Sequence, residues 1–136
     1  MPAHSDKFPW PPYYGHFQFF EKGLKNHKLV KYITAVGSGE YILTKTDDKN
    51  LKIFICECYS FGVAEYVETT RLLANIDIIV INSNWCGYTL DAKRYARDSC
   101  VGLFSIKDFM AALYKENNWE YLNKNERKLF TDKGWL

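Results

Sequence analysis

The middle of the chain changes its hydrophobic period several times. Residues 51–59, LKIFICECY, are apolar enough for a buried strand, whereas residues 63–74, VAEYVETTRLLA, place apolar side chains at helical spacing. The same alternation continues through the strand DIIVIN, the helix TLDAKRYARD, the short strand CVGLF and the helix IKDFMAAL. Strands and helices that alternate over short links predict a sheet whose parallel neighbours are joined by helical crossovers.

The N-terminal half has a different pattern. Residues 17–27, FQFFEKGLKNH, carry one apolar stripe and predict a helix. The segments LVKYITAV and EYILTKT predict strands on either side of Gly-Ser-Gly, and turn-forming residues 47–50 follow. EYILTKT and LKIFICECY are therefore expected to pair as an antiparallel hairpin. The predicted fold class is α/β on the α+β border, with three layers and a central mixed sheet of about five strands flanked by helices.

A length of 136 residues fits one domain. Residues 1–16 contain all four prolines together with several aromatic residues, so they predict an extended arm that lies on the domain or on a partner. Residues 17–114 are predicted to form the main domain. Residues 115–136 predict a C-terminal helical extension packed on the same domain, and its aromatic end indicates a homodimer or another protein partner.

Composition narrows the class of protein. Apolar residues make up 47% of the chain and the net charge is only +2, which excludes a disordered chain and a strongly basic nucleic-acid binder. The start of the chain lacks a signal-peptide pattern, and no apolar run is long enough for a bilayer. We therefore expect an intracellular, soluble protein of the cytoplasm or nucleus, without a membrane partner. The four cysteines lack metal-ligand spacing and are expected to be reduced, buried thiols.

Glu57 is the anomaly in the first buried strand. A lone buried carboxylate costs several kcal/mol unless it is paired, hydrogen-bonded or bound to a metal. Two interpretations remain open from the sequence. Either this strand face turns to solvent at its end, or the carboxylate has a functional partner.

Glu40 is the predicted partner. If the hairpin reverses around residues 48 and 49, Glu40 lies opposite Glu57, and two facing carboxylates are unfavourable without a cation. Mg²⁺ prefers such oxygen ligands, so Glu40 and Glu57 are the predicted metal ligands. A shift of one residue in register would send the two side chains to opposite faces.

The order of elements over roughly residues 17–113 resembles the restriction-endonuclease-like fold, in particular its Mrr-type branch with the PD-(D/E)xK signature. GSGEYIL is similar to the family's glycine-rich approach to a metal-binding Asp, and IFICECYS is similar to the strand that carries Glu-x-Lys or Gln-x-Lys. The stretch from IDIIVIN to FMAAL is similar to the family's following strands and helices. The resemblance implies metal-dependent phosphodiester hydrolysis, with Mg²⁺ as the cofactor of an active protein.

The catalytic motif departs from the family pattern. Glu40, or Tyr41 after a shift of one, stands where the family has Asp. If Glu57 is the acid of Glu-x-Lys, Tyr59 stands at the lysine position; if Glu57 fills the lysine position, Ile55 stands at the acidic one. A phenol with a pKa near 10 does not replace a lysine that orients the attacking water and stabilises phosphate charge.

A lysine from elsewhere would restore activity, and Lys45 on the neighbouring strand or Arg71 on the following helix are the candidates. Three functions therefore stay open. The first is a catalytically degenerate module that binds nucleic acid or a protein partner within a larger complex. The second is an active Mg²⁺-dependent nuclease with Glu40, Glu57 and Lys45 as catalytic residues. The third is an unrelated small α/β interaction domain.

Basic side chains around the first helix and on the helix after the polar loop would neutralise phosphates, or simply form solvated helix faces. The polar loop itself follows a central strand, where open α/β sheets bind ligands. Its tryptophan would stack on a base or pack in the core. The predicted nucleic-acid-binding residues are Lys25, Lys28, Asn84, Trp85, Lys93, Arg94 and Arg97.

Overall fold

The computed structural model of the protein describes residues 7–12, 14–82 and 86–136. It confirms the predicted fold class, because a five-stranded mixed sheet lies between two layers of helices. The helices are α1 (Tyr14–Lys25), α2 (Val63–Leu72), α3 (Leu90–Asp98), α4 (Ile106–Ala112) and α5 (Lys124–Asp132), with a short 3-10 helix at Asn118–Glu120.

The strands are β1 (Val30–Gly37), β2 (Glu40–Lys45), β3 (Asn50–Cys56), β4 (Ser60–Phe61), β5 (Ile78–Ile81), β6 (Gly87–Tyr88) and β7 (Gly102–Ser105). The large sheet has the order β1-β2-β3-β5-β7, and β4 and β6 form a separate parallel pair. Strands β1 to β3 are antiparallel, whereas β3, β5 and β7 are parallel. The helical crossovers predicted from the alternating pattern are therefore present.

The predicted hairpin of β2 and β3 is confirmed, but its predicted register is wrong. Glu40 lies opposite Phe54, and Thr44 lies opposite Asn50. The turn closes early, because the amide of Lys45 donates to the carbonyl of Lys49 at 2.8 Å. Glu40 consequently stops short of Glu57 along the neighbouring strand.

Side chains that alternate along β3 separate two hydrophobic cores. Ile53 and Ile55 face the core beneath α1 and α4, whereas Phe54 and Cys56 face the core beneath α2 and α3. The α1 side contains Phe20, Leu24, Tyr41, Leu43, Ile78, Val80, Phe104 and Phe109. The α2 side contains Phe61, Tyr66, Ile79, Ala92, Ala96 and Leu103. The sheet is thus buried on both faces at its centre, as its parallel strands require.

The arm lies on the domain over residues 7–12. Trp10 is buried, with its ring edge-on to Phe61 at 5.8 Å between centroids, and Phe8 stacks on Phe54 at 5.7 Å. The carbonyl of Trp10 accepts a hydrogen bond from the amide of Glu57 at 2.8 Å. The helix that follows begins at Tyr14, earlier than the predicted residue 17.

The C-terminal segment packs on α3. Phe130 is buried under the ring of Trp135, and the guanidinium of Arg94 lies 4.4 Å from the centre of that same ring. Helix α5 begins with a capping box, in which the side chains of Asn123 and Glu126 each accept from the other's backbone amide.

Candidate functional site

Glu57 follows β3 directly, at the carboxyl end of the strand. Its side chain is 0% exposed, so the interpretation that this face turns to solvent is wrong. Alternation along the strand places Glu57 on the α1 side of the sheet, with Ile53 and Ile55. The carboxylate therefore needs partners within the protein.

Two side chains supply hydrogen bonds to this carboxylate. Nδ1 of His16, in the first turns of α1, donates to Oε2 of Glu57. Nδ2 of Asn82 donates to the same oxygen at 3.1 Å. Asn82 directly follows β5, the parallel neighbour of β3, and its own amide donates to the carbonyl of Cys56 at 2.9 Å. We call Glu57, His16 and Asn82 the Glu57 cluster.

The second carboxylate oxygen, Oε1 of Glu57, is buried and receives no hydrogen bond from the described residues. Buried polar atoms are nearly always paired, with protein or with ordered water. This oxygen therefore marks a position where a water molecule or a ligand group with a donor would be stabilised. The side chain of His16 is 34% exposed, so the cluster reaches solvent through its ring.

The structure does not bring Glu40 and Glu57 together. Residues directly opposite in a sheet share a face, so Glu40 lies on the face of Phe54 and Glu57 on the other. Tyr41, the alternative at this position, shares the face of Glu57, but its hydroxyl donates to Oε2 of Glu21 at 2.8 Å. The residues present do not fit the predicted Mg²⁺ site, and within the described ranges no three His, Cys, Asp or Glu side chains are grouped to hold a metal ion.

Lys45 does not reach the Glu57 cluster either. It lies opposite Lys49, at the start of β3, whereas Glu57 follows the end of that strand. At about 3.3 Å per residue, the two positions are roughly 26 Å apart along the sheet. Arg71 is exposed in the last turn of α2, and Tyr59 is 50% exposed. The structure therefore does not place Lys45 where the catalytic lysine would act.

Lys93 is buried on α3, with 1% of its surface exposed. Its Nζ donates to the carbonyl of Leu103 at 2.6 Å and lies 3.9 Å from the centre of the Phe104 ring. Burial lowers the pKa of Lys93 to about 8, against the smaller opposing effects of Glu126 and Asp108. The ammonium group cannot contact a phosphate in this position.

The two arginines of α3 also contact the C-terminal segment. Arg94 stacks on Trp135, and Arg97 lies 6.0 Å from the Phe130 ring. Their guanidinium groups stabilise the docking of that segment by cation–π contact. The other predicted binding residues of this region, Asn84 and Trp85, lie outside the described residues.

Helix α1 presents a basic surface to solvent. Lys22, Lys25 and Lys28 are exposed along it and just beyond its end. A shallow groove of about 450 Å³ runs along the helix and is lined by Gln18, Glu21, Lys22, Lys25 and Asn26. Two exposed rings accompany these lysines: Phe19 of α1, 69% exposed, and Tyr114, 61% exposed, whose ring contacts His27 just after α1. We call Phe19, Lys22, Lys25, Lys28 and Tyr114 the α1 surface.

Three cysteines lie in or against the hydrophobic core beneath α2 and α3. Cys56 and Cys58 are buried, and Cys86 packs against the same core. Burial raises the pKa of Cys58 to about 11 and raises the pKa of Cys56 as well. The thiols of Cys56 and Cys58 therefore remain protonated at neutral pH and are poor nucleophiles.

The sequence does not identify His16 and Asn82 as parts of the cluster. Asn82 is the polar residue after a buried strand, which is a usable signal, because carboxyl ends of neighbouring parallel strands meet at one sheet edge. His16 is 41 residues from Glu57 and has no motif of its own. Only the packing of α1 on the sheet brings it there.

Comparisons of the chain with protein-family models, with curated proteins and with solved structures gave no significant match. In the described part of the chain, no helix combines the length and apolarity of a membrane span.

Proposed function

We propose that this protein is a restriction-endonuclease-like module that binds nucleic acid through the α1 surface and does not cleave it by a metal-dependent reaction. The order of elements supports the family assignment. A helix precedes three antiparallel strands, and helical crossovers then add the parallel strands β5 and β7 to the same sheet. This is the order on which the resemblance in the sequence depends.

The burial and hydrogen bonding of Glu57 support the proposal that the protein does not cleave nucleic acid by a metal-dependent reaction. Its carboxylate is fully buried and accepts hydrogen bonds from His16 and Asn82 on the same oxygen. Glu40 lies on the opposite face of the sheet, and Lys45 lies at the far end of the hairpin. Glu57 therefore acts as a structural acceptor at the position where an active relative of this fold would hold a metal.

The α1 surface supports nucleic-acid binding. Lys22, Lys25 and Lys28 are exposed, whereas Glu21, the acidic side chain beside them, accepts a hydrogen bond from Tyr41. Lysines at the carboxyl end of a helix also interact favourably with its dipole. Phosphate binding by such lysines is independent of base sequence.

The binding test compares two double variants by fluorescence anisotropy with labelled DNA and RNA. Lys25→Ala with Lys28→Ala is expected to weaken binding and to reduce the slope of log K against log salt by roughly 1 to 2. Lys107→Ala with Lys128→Ala removes two exposed lysines from other helices and is the matched control. Equal loss in both variants would contradict a specific role for the α1 surface.

The cleavage test incubates the same nucleic acids with Mg²⁺ or Mn²⁺ and compares the wild type with Glu57→Gln. We expect intact substrate in both reactions. Cleavage by the wild type that disappears in Glu57→Gln would establish the active-nuclease alternative. Failure of every nucleic acid to bind would leave the protein-interaction alternative.

A further inference from the structure

Two exposed aromatic rings accompany the lysines of α1, one on the helix itself and one against His27 just beyond its end. Phe19 is 69% exposed, although its neighbour in the same helix, Phe20, is fully buried. Lys22 is one turn further along, and Lys25 is roughly 9 Å from Phe19 along the helix axis at 1.5 Å per residue. A ring this exposed buries little of its surface within the domain and is accessible to a ligand.

The second ring is held in place by the fold. Tyr114 is 61% exposed, and its ring lies against His27 at 5.0 Å between centroids. His27 is fixed at both ring nitrogens, because Nε2 donates to the carbonyl of Met110 at 3.0 Å and Nδ1 accepts from the amide of Leu29 at 3.1 Å. Tyr114 is thus a preorganised ring at the end of α1.

We propose that the α1 surface binds an unpaired polynucleotide strand, whose bases stack on Phe19 and Tyr114 while Lys22, Lys25 and Lys28 neutralise its phosphates. This inference rests on the proposed nucleic-acid function and specifies its ligand. Bases in a duplex are already stacked on one another, so their faces are not accessible to protein side chains. The bases of an unpaired strand have accessible faces that stack on Phe19 and Tyr114.

The lysines also distinguish this ligand from a protein partner. The apolar centres of protein interfaces are depleted in lysine, whereas here Lys22 lies one helical turn from Phe19, and Lys25 and Lys28 flank in sequence the His27 against which Tyr114 packs. Alternation of aromatic and basic side chains is the arrangement with which single strands are bound. The groove along α1 adds the amides of Gln18 and Asn26, which donate to and accept from base edges.

The test measures anisotropy with labelled oligothymidine, oligouridine and a blunt DNA duplex, each of about 20 nucleotides. Phe19→Ala and Tyr114→Ala are each expected to weaken binding to the single strands by roughly 5- to 100-fold, the effect of losing one base–ring stack. Duplex binding should change less than twofold. Phe19→Trp and Tyr114→Phe keep a ring and should retain single-strand binding.

Tyr32→Ala is the matched control. Tyr32 is 58% exposed, but it points away from α1, since its neighbour Ile33 faces the core beneath that helix. Urea midpoints of all variants confirm that each protein folds. Single-strand affinity that persists in both ring variants, while Lys25→Ala with Lys28→Ala loses it, would overturn this inference and leave the proposed function standing. Absence of binding to all three probes would overturn both.

Discussion

His16 and Glu57 are 41 residues apart in the chain and joined by a hydrogen bond from Nδ1 to Oε2. The bond ties the first turns of α1 to the carboxyl end of β3. The amide of Glu57 donates to the carbonyl of Trp10, so the N-terminal arm is attached to the same residue. Three segments of the chain therefore meet at Glu57, and the hydrogen bonds from His16 and Asn82 explain how its buried side chain is stable directly after β3.

Glu57→Ala should destabilise the protein by about 3 to 5 kcal/mol, because it leaves the donors of His16 and Asn82 without their buried acceptor. Glu57→Gln keeps the shape and one acceptor oxygen, so a smaller loss of about 1 to 3 kcal/mol is expected. Urea denaturation followed by tryptophan fluorescence measures both. Glu116→Ala, at an exposed acid, should stay within about 0.5 kcal/mol of the wild type. Comparable stability of Glu57→Ala and the wild type would contradict a structural role for the cluster.

Lys93 makes the stability depend on pH. Its folded pKa is lowered from 10.5 to about 8, so between these values the unfolded chain binds the proton more tightly, and rising pH stabilises the folded state. The free energy of unfolding of the wild type relative to Lys93→Met should therefore increase by about 1 kcal/mol from pH 7 to pH 9. The raised pKa values of Cys58 and Tyr66 act in the opposite direction but are common to both proteins.

Urea midpoints at the two pH values give this difference directly. Lys107→Met replaces an exposed lysine and should differ from the wild type by the same amount at both pH values. A stability difference between the wild type and Lys93→Met that does not change with pH would show that the Lys93 ammonium is not desolvated.

Gly39 is required for two separate reasons. Its φ is +86°, and a Cβ there would lie 2.6 Å from the carbonyl oxygen of Ile55. Gly39→Ala should therefore destabilise by about 2 to 4 kcal/mol, from backbone strain and overlap together. Gly37→Ala, at φ +114° with open space around it, isolates the strain and should lose about 1 to 2 kcal/mol. Equal losses at the two positions, measured by thermal or urea unfolding, would exclude a contribution from the contact with Ile55.

Trp10 anchors the arm, with 4% of its surface exposed. Trp10→Ala should lose about 3 to 5 kcal/mol, as for other buried large rings, and Trp10→Phe should lose less because it still fills part of the space beside Phe61. Urea denaturation is followed by circular dichroism, because both substitutions remove a tryptophan and so change the fluorescence signal. The exposed ring of Phe19 is the control, since Phe19→Ala should be within about 0.5 kcal/mol of the wild type. If the arm contributed nothing to stability, Trp10→Ala and Phe19→Ala would have the same free energy of unfolding.

The local pattern of apolar positions was sufficient for the order of helices and strands. Periods of two and of about 3.6 residues arise from backbone geometry within one segment, so β3, β5 and α3 could be predicted without any knowledge of their neighbours. Turn-forming residues likewise predicted the hairpin. They did not predict its register. The hydrogen bond between Lys45 and Lys49 that closes the turn depends on the backbone angles of the turn, and several different sequences adopt the same angles.

The site was predicted only in part for a similar reason. Glu57 was detectable, since a carboxylate in an apolar strand is anomalous within a few residues of sequence. Its partner His16 was not, because a contact across 41 residues is made by the packing of α1 on the sheet. The position of Lys93 could not be predicted for the same reason. A lysine on an amphipathic helix is expected to face solvent, but the long side chain of Lys93 reaches the carbonyl of Leu103 inside the protein.

The helical and extended segments and the unusual carboxylate could thus be inferred from the order of amino acids, because they follow from short-range sterics and hydrophobic periodicity. The sheet face on which each site residue lies, and the side chains that it contacts, were set by the packing of the elements on one another. A displaced hairpin register put Glu40 on the opposite side of the sheet from Glu57, while helix packing brought His16 to it. These outcomes depend on contacts between distant segments, whose free energies are set by the whole core rather than by any one stretch of chain.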